Sequence, residues 1–230
     1  MPIDLPRALD SLEELYGAPR PPRWTDPWLW VLWENVAYLA DDERRQAAFC
    51  LLKKQVGTKA PDILAASDDD LREVCRHGIM PEVSAGKLRD CARIALEHFD
   101  GDVRQVLKWP EAKAKKALQK FPGVGAPSAE KILLLCRAVP VLALDSNGLR
   151  VLVRLGFGEE KKNYAATYRF VQAAAAAELD ADCEALIRAH HLLRAHGQAR
   201  CKNKDPLCGQ CPLAPDCAFF RETARRHVAL

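Results

Sequence analysis

Cys201, Cys208, Cys211 and Cys217 form a C-x6-C-x2-C-x5-C pattern within 17 residues. Such spacing lets one loop wrap a soft metal centre, and Pro206, Pro212 and Pro215 stiffen it. Tetrahedral zinc and a [4Fe–4S] cluster both accept four cysteines, so donor type alone leaves the choice open. A second candidate is Leu118-Gln119-Lys120-Phe121-Pro122-Gly123-Val124-Gly125, set between helical patterns at 111–120 and 127–138. Glycines at 123 and 125 allow a tight turn whose N–H groups meet the N-terminus of the next helix, where an anion such as a DNA phosphate is favoured. The third is Glu34, a carboxylate in the nearly all-apolar stretch Trp28 to Ala40, where burial should raise its pKa toward that of a general acid. Tyr38, one helical turn on, should share its face.

Those groups need helices to hold them, and helices are what the pattern predicts. No stretch alternates with period two, so the expected fold class is all-α. The proline-rich residues 1–27 read as a surface crossing before the first long helix, which Asp26-Pro27 would cap and start. Ser67 before Asp68-Asp69-Asp70, Ser84, and Pro110-Glu111 mark further helix starts. The Ala173–Ala177 run leads through Asp182 into a pattern ending near His196-Gly197.

The chain has 230 residues, 49% of them hydrophobic and 28% charged, enough for one large or two small domains. No apolar run is long enough to span a membrane and no basic-then-apolar leader opens the sequence, so the expectation is a soluble, cytoplasmic protein. In that compartment nine cysteines stay reduced, and Cys50, Cys75, Cys91, Cys136 and Cys183, dispersed among apolar residues, read as core. The net charge of +3 hides two basic segments, 101–131 and 190–230, each with seven basic against three acidic side chains. If the fold unites them they make a phosphate-binding face.

Phe121-Pro-Gly-Val-Gly125 followed by Val141-Leu142-Ala143-Leu144-Asp145 resembles the helix-hairpin-helix and Gly/Pro…Asp signature of the endonuclease III superfamily of DNA glycosylases. The resemblance runs from about Trp28 to Cys217, and the cysteine spacing, with His191…His196-Gly197 leading into it, is similar to the cluster loop of endonuclease III and MutY. It implies a [4Fe–4S] cluster on Cys201, Cys208, Cys211 and Cys217, with Lys202 and Lys204 on a DNA-contacting loop. It implies two helical lobes, 28–139 containing the hairpin (111–138), and 1–27 plus 140–230 containing the cluster, with DNA across the cleft and Asp145 at its mouth. Gly123, Val124, Gly125 and Lys120 would meet the backbone of double-stranded DNA, and Ile79 and Met80, between Gly78 and Pro81, would wedge into the stack.

The same resemblance assigns Asp145 to stabilising the sugar cation and orienting water, Asn147 to assisting it, and Glu34 to protonating the departing base. Tyr38 would line the base pocket. Bifunctional relatives carry a lysine where this chain has Pro127, so the expected activity is that of a monofunctional glycosylase acting on a damaged or mismatched base, without efficient lyase action. A MutY-like adenine glycosylase lacking its C-terminal recognition domain, suggested by Glu34, Asp145 and Asn147, is the runner-up; against it, only 13 residues follow Cys217, which leaves no room for that domain. A catalytically silent damage-binding module is the alternative from another class. The protein should be a monomer, nucleoid-associated if bacterial.

Overall fold

In the computed structural model of the chain, residues 3–228 are described, with side chains as far as Thr223, and every regular element among them is helical. Arg225 and Arg226, counted in the second basic segment, have side chains outside the described ones.

The first element corrects an expectation. Instead of an irregular surface crossing, Leu5–Tyr16 is a helix, α1. Asp4 caps it by accepting from the Arg7 N–H, and Pro6 sits in the first turn, where its missing N–H costs nothing. Leu5, Ala8, Leu9 and Leu12, all buried, give it an apolar stripe. The other prolines of this region lie outside it.

Two compact units divide the chain: Pro22–Ala138, and the flanking residues up to Pro21 and from Val139. The central unit runs α2 (Pro27–Asn35), α3 (Asp42–Gln55), α4 (Ala60–Ala65), α5 (Asp68–Cys75), α6 (Pro81–Phe99), a 3-10 turn at Val103–Lys108, α7 (Glu111–Leu118) and α8 (Ala126–Leu135). Asp26 and Ser67 cap α2 and α5 as expected. Helix α6 starts at Pro81, so Ser84 is a buried position inside it, not its cap. Helix α2 ends at Asn35, five residues short of the predicted apolar run, and Leu39 then takes a left-handed φ of 51°.

The outer unit continues with α9 (Ser146–Leu155), α10 (Tyr164–Ala176), α11 (Cys183–Ala199), short 3-10 turns at Cys208–Gln210 and Ala214–Asp216, and α12 (Ala218–Val228). Helix α11 does not stop at Gly197 but carries it inside the last turn. It packs on α9 and on α1, to which Arg188 is tied by Asp10 at 2.8 Å and by Glu13. Cys75, Cys91 and Cys136 are buried, and burial pushes each thiol up to about 12. Cys50 is exposed and Cys183 half-buried, so two of the five expected core thiols are not fully buried. No helix among the described residues is long and apolar enough to cross a membrane.

Candidate functional site

The turn between α7 and α8 gives its two glycines different tasks. Gly123 has φ 73°, which a side chain resists, and a Cβ there would stand 2.8 Å from Asn35 Oδ1. Gly125 is extended and serves as the N-cap of α8. Both are exposed, whereas Val124 is buried and its N–H closes the turn on Phe121 O at 3.1 Å. Asn35 braces the turn from α2, its Nδ2 donating to Val31 O at 2.9 Å and to Pro122 O at 2.8 Å. Lys115 of α7 pairs with the buried Glu130 of α8 and ties the two hairpin helices together.

Glu34 does not behave as the apolar run suggested. Its side chain is 12% exposed, and Lys131 Nζ of α8 lies 2.8 Å from Oε1. Burial pushes the carboxyl up, but the Lys131 charge and hydrogen bond, the Arg45 charge and the Ser128 hydroxyl outweigh it and hold Glu34 below the ordinary carboxylate range. The expected raised pKa is therefore replaced by an ionised carboxylate in a buried ion pair. Pro127 sits in the first turn of α8, one helical turn before Lys131 on the same side. Tyr38 is beyond α2 and lies in a loop instead of on the Glu34 face. That loop meets the predicted wedge, since the Ile79 N–H donates to Tyr38 O at 3.1 Å. Tyr38, Leu39, Ile79, Met80 and Val83 are all exposed, an unusual run of large apolar side chains in one unit.

In the outer unit Asp145 is the N-cap of α9. Its Oδ1 accepts from Gly148 N at 2.8 Å, and its Oδ2 accepts from Asn147 Nδ2 at 3.2 Å and pairs with Arg194 Nε at 3.1 Å. Burial raises this carboxyl, yet the Gly148 N–H, the charges of His190 and Arg194 and the Asn147 amide together hold it below the ordinary range. Asn147 thus holds the aspartate directly. Sequence reasoning missed Arg194 and His190, both on α11, and Arg150, which donates to Asn147 Oδ1 at 2.9 Å, Gly197 O at 2.8 Å and Cys201 O at 2.9 Å. His190 and Arg194 lie far from Asp145 in sequence, and Gly197 and Cys201 far from Arg150, so no local signal pairs them; only the Arg150–Asn147 contact is local.

Arg150 leads into the cysteine loop, where three of the four thiols have polar partners. Arg154 Nη1 donates to Cys201 Sγ at 3.4 Å, Cys217 Sγ donates to Arg154 O at 3.3 Å, and His196 Nε2 lies 3.5 Å from Cys211 Sγ with Tyr16 on its Nδ1 at 3.1 Å. Burial raises the thiols of Cys208, Cys211 and Cys217, and each also senses negative charge on other members of the set. Among the described residues no three His, Cys, Asp or Glu side chains are set at metal-holding distances. The donor set nonetheless suits a thiolate-ligated centre, being four thiols on one loop with an Arg and a His nitrogen directed at two of the sulfurs. Lys202 and Lys204 are exposed beside it. In the first basic segment Lys108, Lys113, Lys116 and Lys120 are exposed, while Lys115 and Lys131 are engaged by carboxylates.

A hairpin between short helices, followed by an aspartate capping the next helix and then a four-cysteine loop, is the order of elements that the resemblance to the endonuclease III superfamily leads one to expect. No family model matches the chain. It is 24% identical to endonuclease III of Sulfolobus acidocaldarius over 185 residues, 80% of this chain and 78% of that one. It is 26% identical to endonuclease III of Thermotoga maritima over 210 residues, 91% of each chain. A solved endonuclease III, trapped as a covalent intermediate with DNA, shares the fold with a TM-score of 0.77 at 20% identity, covering 98% of this chain and 100% of that one. These likenesses support an assignment to the HhH-GPD superfamily of DNA glycosylases, with endonuclease III among the relatives.

Gly197 is the simplest point at which to test how the Asp145 network is held. A Cβ there would lie 2.7–2.9 Å from Asn147 Cβ, O and C. Gly197→Ala should therefore lower stability by about 1–3 kcal/mol in denaturant melts. Gly86→Ala, in α6, where a Cβ meets nothing within 4 Å, should instead be neutral or gain about 0.5–1 kcal/mol from helix propensity. Equal effects at the two positions would refute the close-approach reading.

Proposed function

We propose that the protein is a DNA glycosylase of base excision repair that hydrolyses the N-glycosidic bond of a damaged or mismatched base in duplex DNA and does not efficiently cleave the resulting abasic strand. The observation that carries this reading is Asp145: a carboxylate capping a helix just after a hairpin, held ionised by three donors, in a chain with the endonuclease III fold.

A glycosidic bond inside a duplex is out of reach, so the nucleotide must be extruded. The exposed Tyr38, Ile79 and Met80 are suited to filling the gap left in the stack, while Gly123, Gly125 and the exposed Lys120, Lys202 and Lys204 take up phosphates. As the bond breaks, its electron pair leaves with the base and the sugar becomes oxocarbenium-like. A fixed anion at Asp145 stabilises that charge without having to reorganise, and Asn147 and Arg194 fix its direction. Water then adds to C1′ and gives its proton to the carboxylate.

Lyase action needs an amine at C1′ in place of water. Position 127 is proline, and Lys115 of α7 and Lys131 of α8 are engaged by Glu130 and Glu34. Cys201, Cys208, Cys211 and Cys217 are the residues that would hold a [4Fe–4S] cluster. Bound there, the cluster would cross-link the loop that presents Lys202 and Lys204.

Asp145→Asn should reduce base release from lesion duplexes by about 100-fold or more while leaving affinity for an abasic-site analogue within a few-fold. Unchanged release, scored by alkali cleavage, would sink the mechanism. Borohydride should trap little or no covalent complex of the wild type with a substrate duplex, and efficient trapping would refute the monofunctional reading.

A further inference from the structure

Helix α10 runs in register with the segment that leads into Asp145. Tyr164, Tyr168 and Gln172 follow one another at single-turn spacing and share a face of the helix. Gln172 Nε2 donates to Leu142 O at 2.9 Å, and the Tyr168 hydroxyl accepts from the Leu144 N–H at 3.3 Å. The next step along both stretches brings Tyr164 to Asp145. Its ring stands 6.3 Å from that of Tyr168, centroid to centroid, yet Tyr168 is 4% exposed and Tyr164 51%. The start of the helix is fixed: Asn163 Oδ1 accepts from the Ala165 N–H at 2.9 Å, and the Lys161 N–H donates to Thr167 Oγ1 at 2.9 Å. Burial and the Asp145 charge both push the Tyr164 phenol above its ordinary value. All of these residues belong to the outer unit.

The face of an aromatic ring carries negative potential and attracts a cation, the more so where water is excluded. Asp145, its side chain 22% exposed, and the open ring of Tyr164 thus present an anion and a π-face side by side. We infer that Tyr164 is a catalytic residue whose ring packs against the deoxyribose held at Asp145 and stabilises the positive charge that develops there. This rests on the glycosylase reading above and adds to it a group that sequence reasoning did not single out. Tyr164 transfers no proton: the bonding pair leaves with the base, water adds to C1′, and the water proton passes to Asp145. A phenol pushed up instead of down stays neutral, so the ring and not an oxygen anion meets the sugar. The other exposed ring of α10, Phe170, lies off this face, with Lys161 Nζ 4.9 Å from its centroid.

The test measures the affinity of wild type, Tyr164→Leu, Tyr164→Phe and Phe170→Leu for two duplexes. One carries a pyrrolidine abasic analogue whose ammonium takes the place of C1′, and the other its uncharged tetrahydrofuran counterpart. Single-turnover base release is followed alongside on duplexes containing uracil, thymine or 3-methyladenine. Wild type should prefer the charged analogue. Tyr164→Leu should weaken binding of that analogue and slow base release by about 10-fold each, while binding of the neutral analogue changes by less than about 2-fold. Tyr164→Phe, which returns the ring, should recover most of both losses, and Phe170→Leu should change neither. A merely structural role would weaken both analogues alike. Equal losses on the two analogues, no loss on either, or the same loss in Tyr164→Phe would overturn the inference and leave the glycosylase reading intact. A wild type that neither prefers the charged analogue nor releases any base would overturn both.

Discussion

A side chain at position 197 would collide with the backbone of Asn147, and the placement of Asp145 follows from that close approach. Where two helices touch backbone to backbone, the first turn of one can be set by the last turn of the other. Arg150 uses this closeness, bridging Asn147, Gly197 and Cys201 with three hydrogen bonds from one guanidinium. The aspartate, the helix it caps and the first cysteine of the loop are therefore mechanically connected. The packing is also what brings Arg194 of α11 to the carboxylate.

The charged groups follow one pattern. Wherever a carboxylate is buried near the hairpin or at the α9 cap it is met by a cation: Lys115 for Glu130, Lys131 for Glu34, Arg194 for Asp145. Burial alone would have raised Glu34 and Asp145, and in both the partners reverse the direction. The consequence for chemistry is that each of these clusters offers a fixed anion beside a fixed cation in place of a neutral carboxylic acid. Glu34 is therefore poorly suited to donating a proton.

What could be read from the sequence was what is encoded locally. The hairpin, the Asp145 cap and the four-cysteine spacing each lie within a few residues or one loop, and so did the all-helical pattern. Helix α1 was obscured because a count of prolines outweighed a Leu5, Leu9, Leu12 stripe that contains none beyond its first turn. The end of α2 was missed because Asn35 there makes a tertiary bond to Pro122, 87 residues away, that periodicity cannot register. Glu34 and Lys131 are 97 residues apart, so an apolar neighbourhood in sequence concealed a cation in space. Gly197 looked like a helix stop, since a glycine kept for close packing and one kept for a turn are the same letter.

The central claim is that Asp145 is an anion at working pH because its surround makes it one. Titration of the Asp145 carboxyl carbon by 13C NMR, assigned against Asp145→Asn, tests this directly. The network of Gly148, Asn147, His190 and Arg194 predicts a midpoint below the ordinary aspartate value of about 3.9. A midpoint at or above that value would mean that burial prevails over the donors, and would contradict the account.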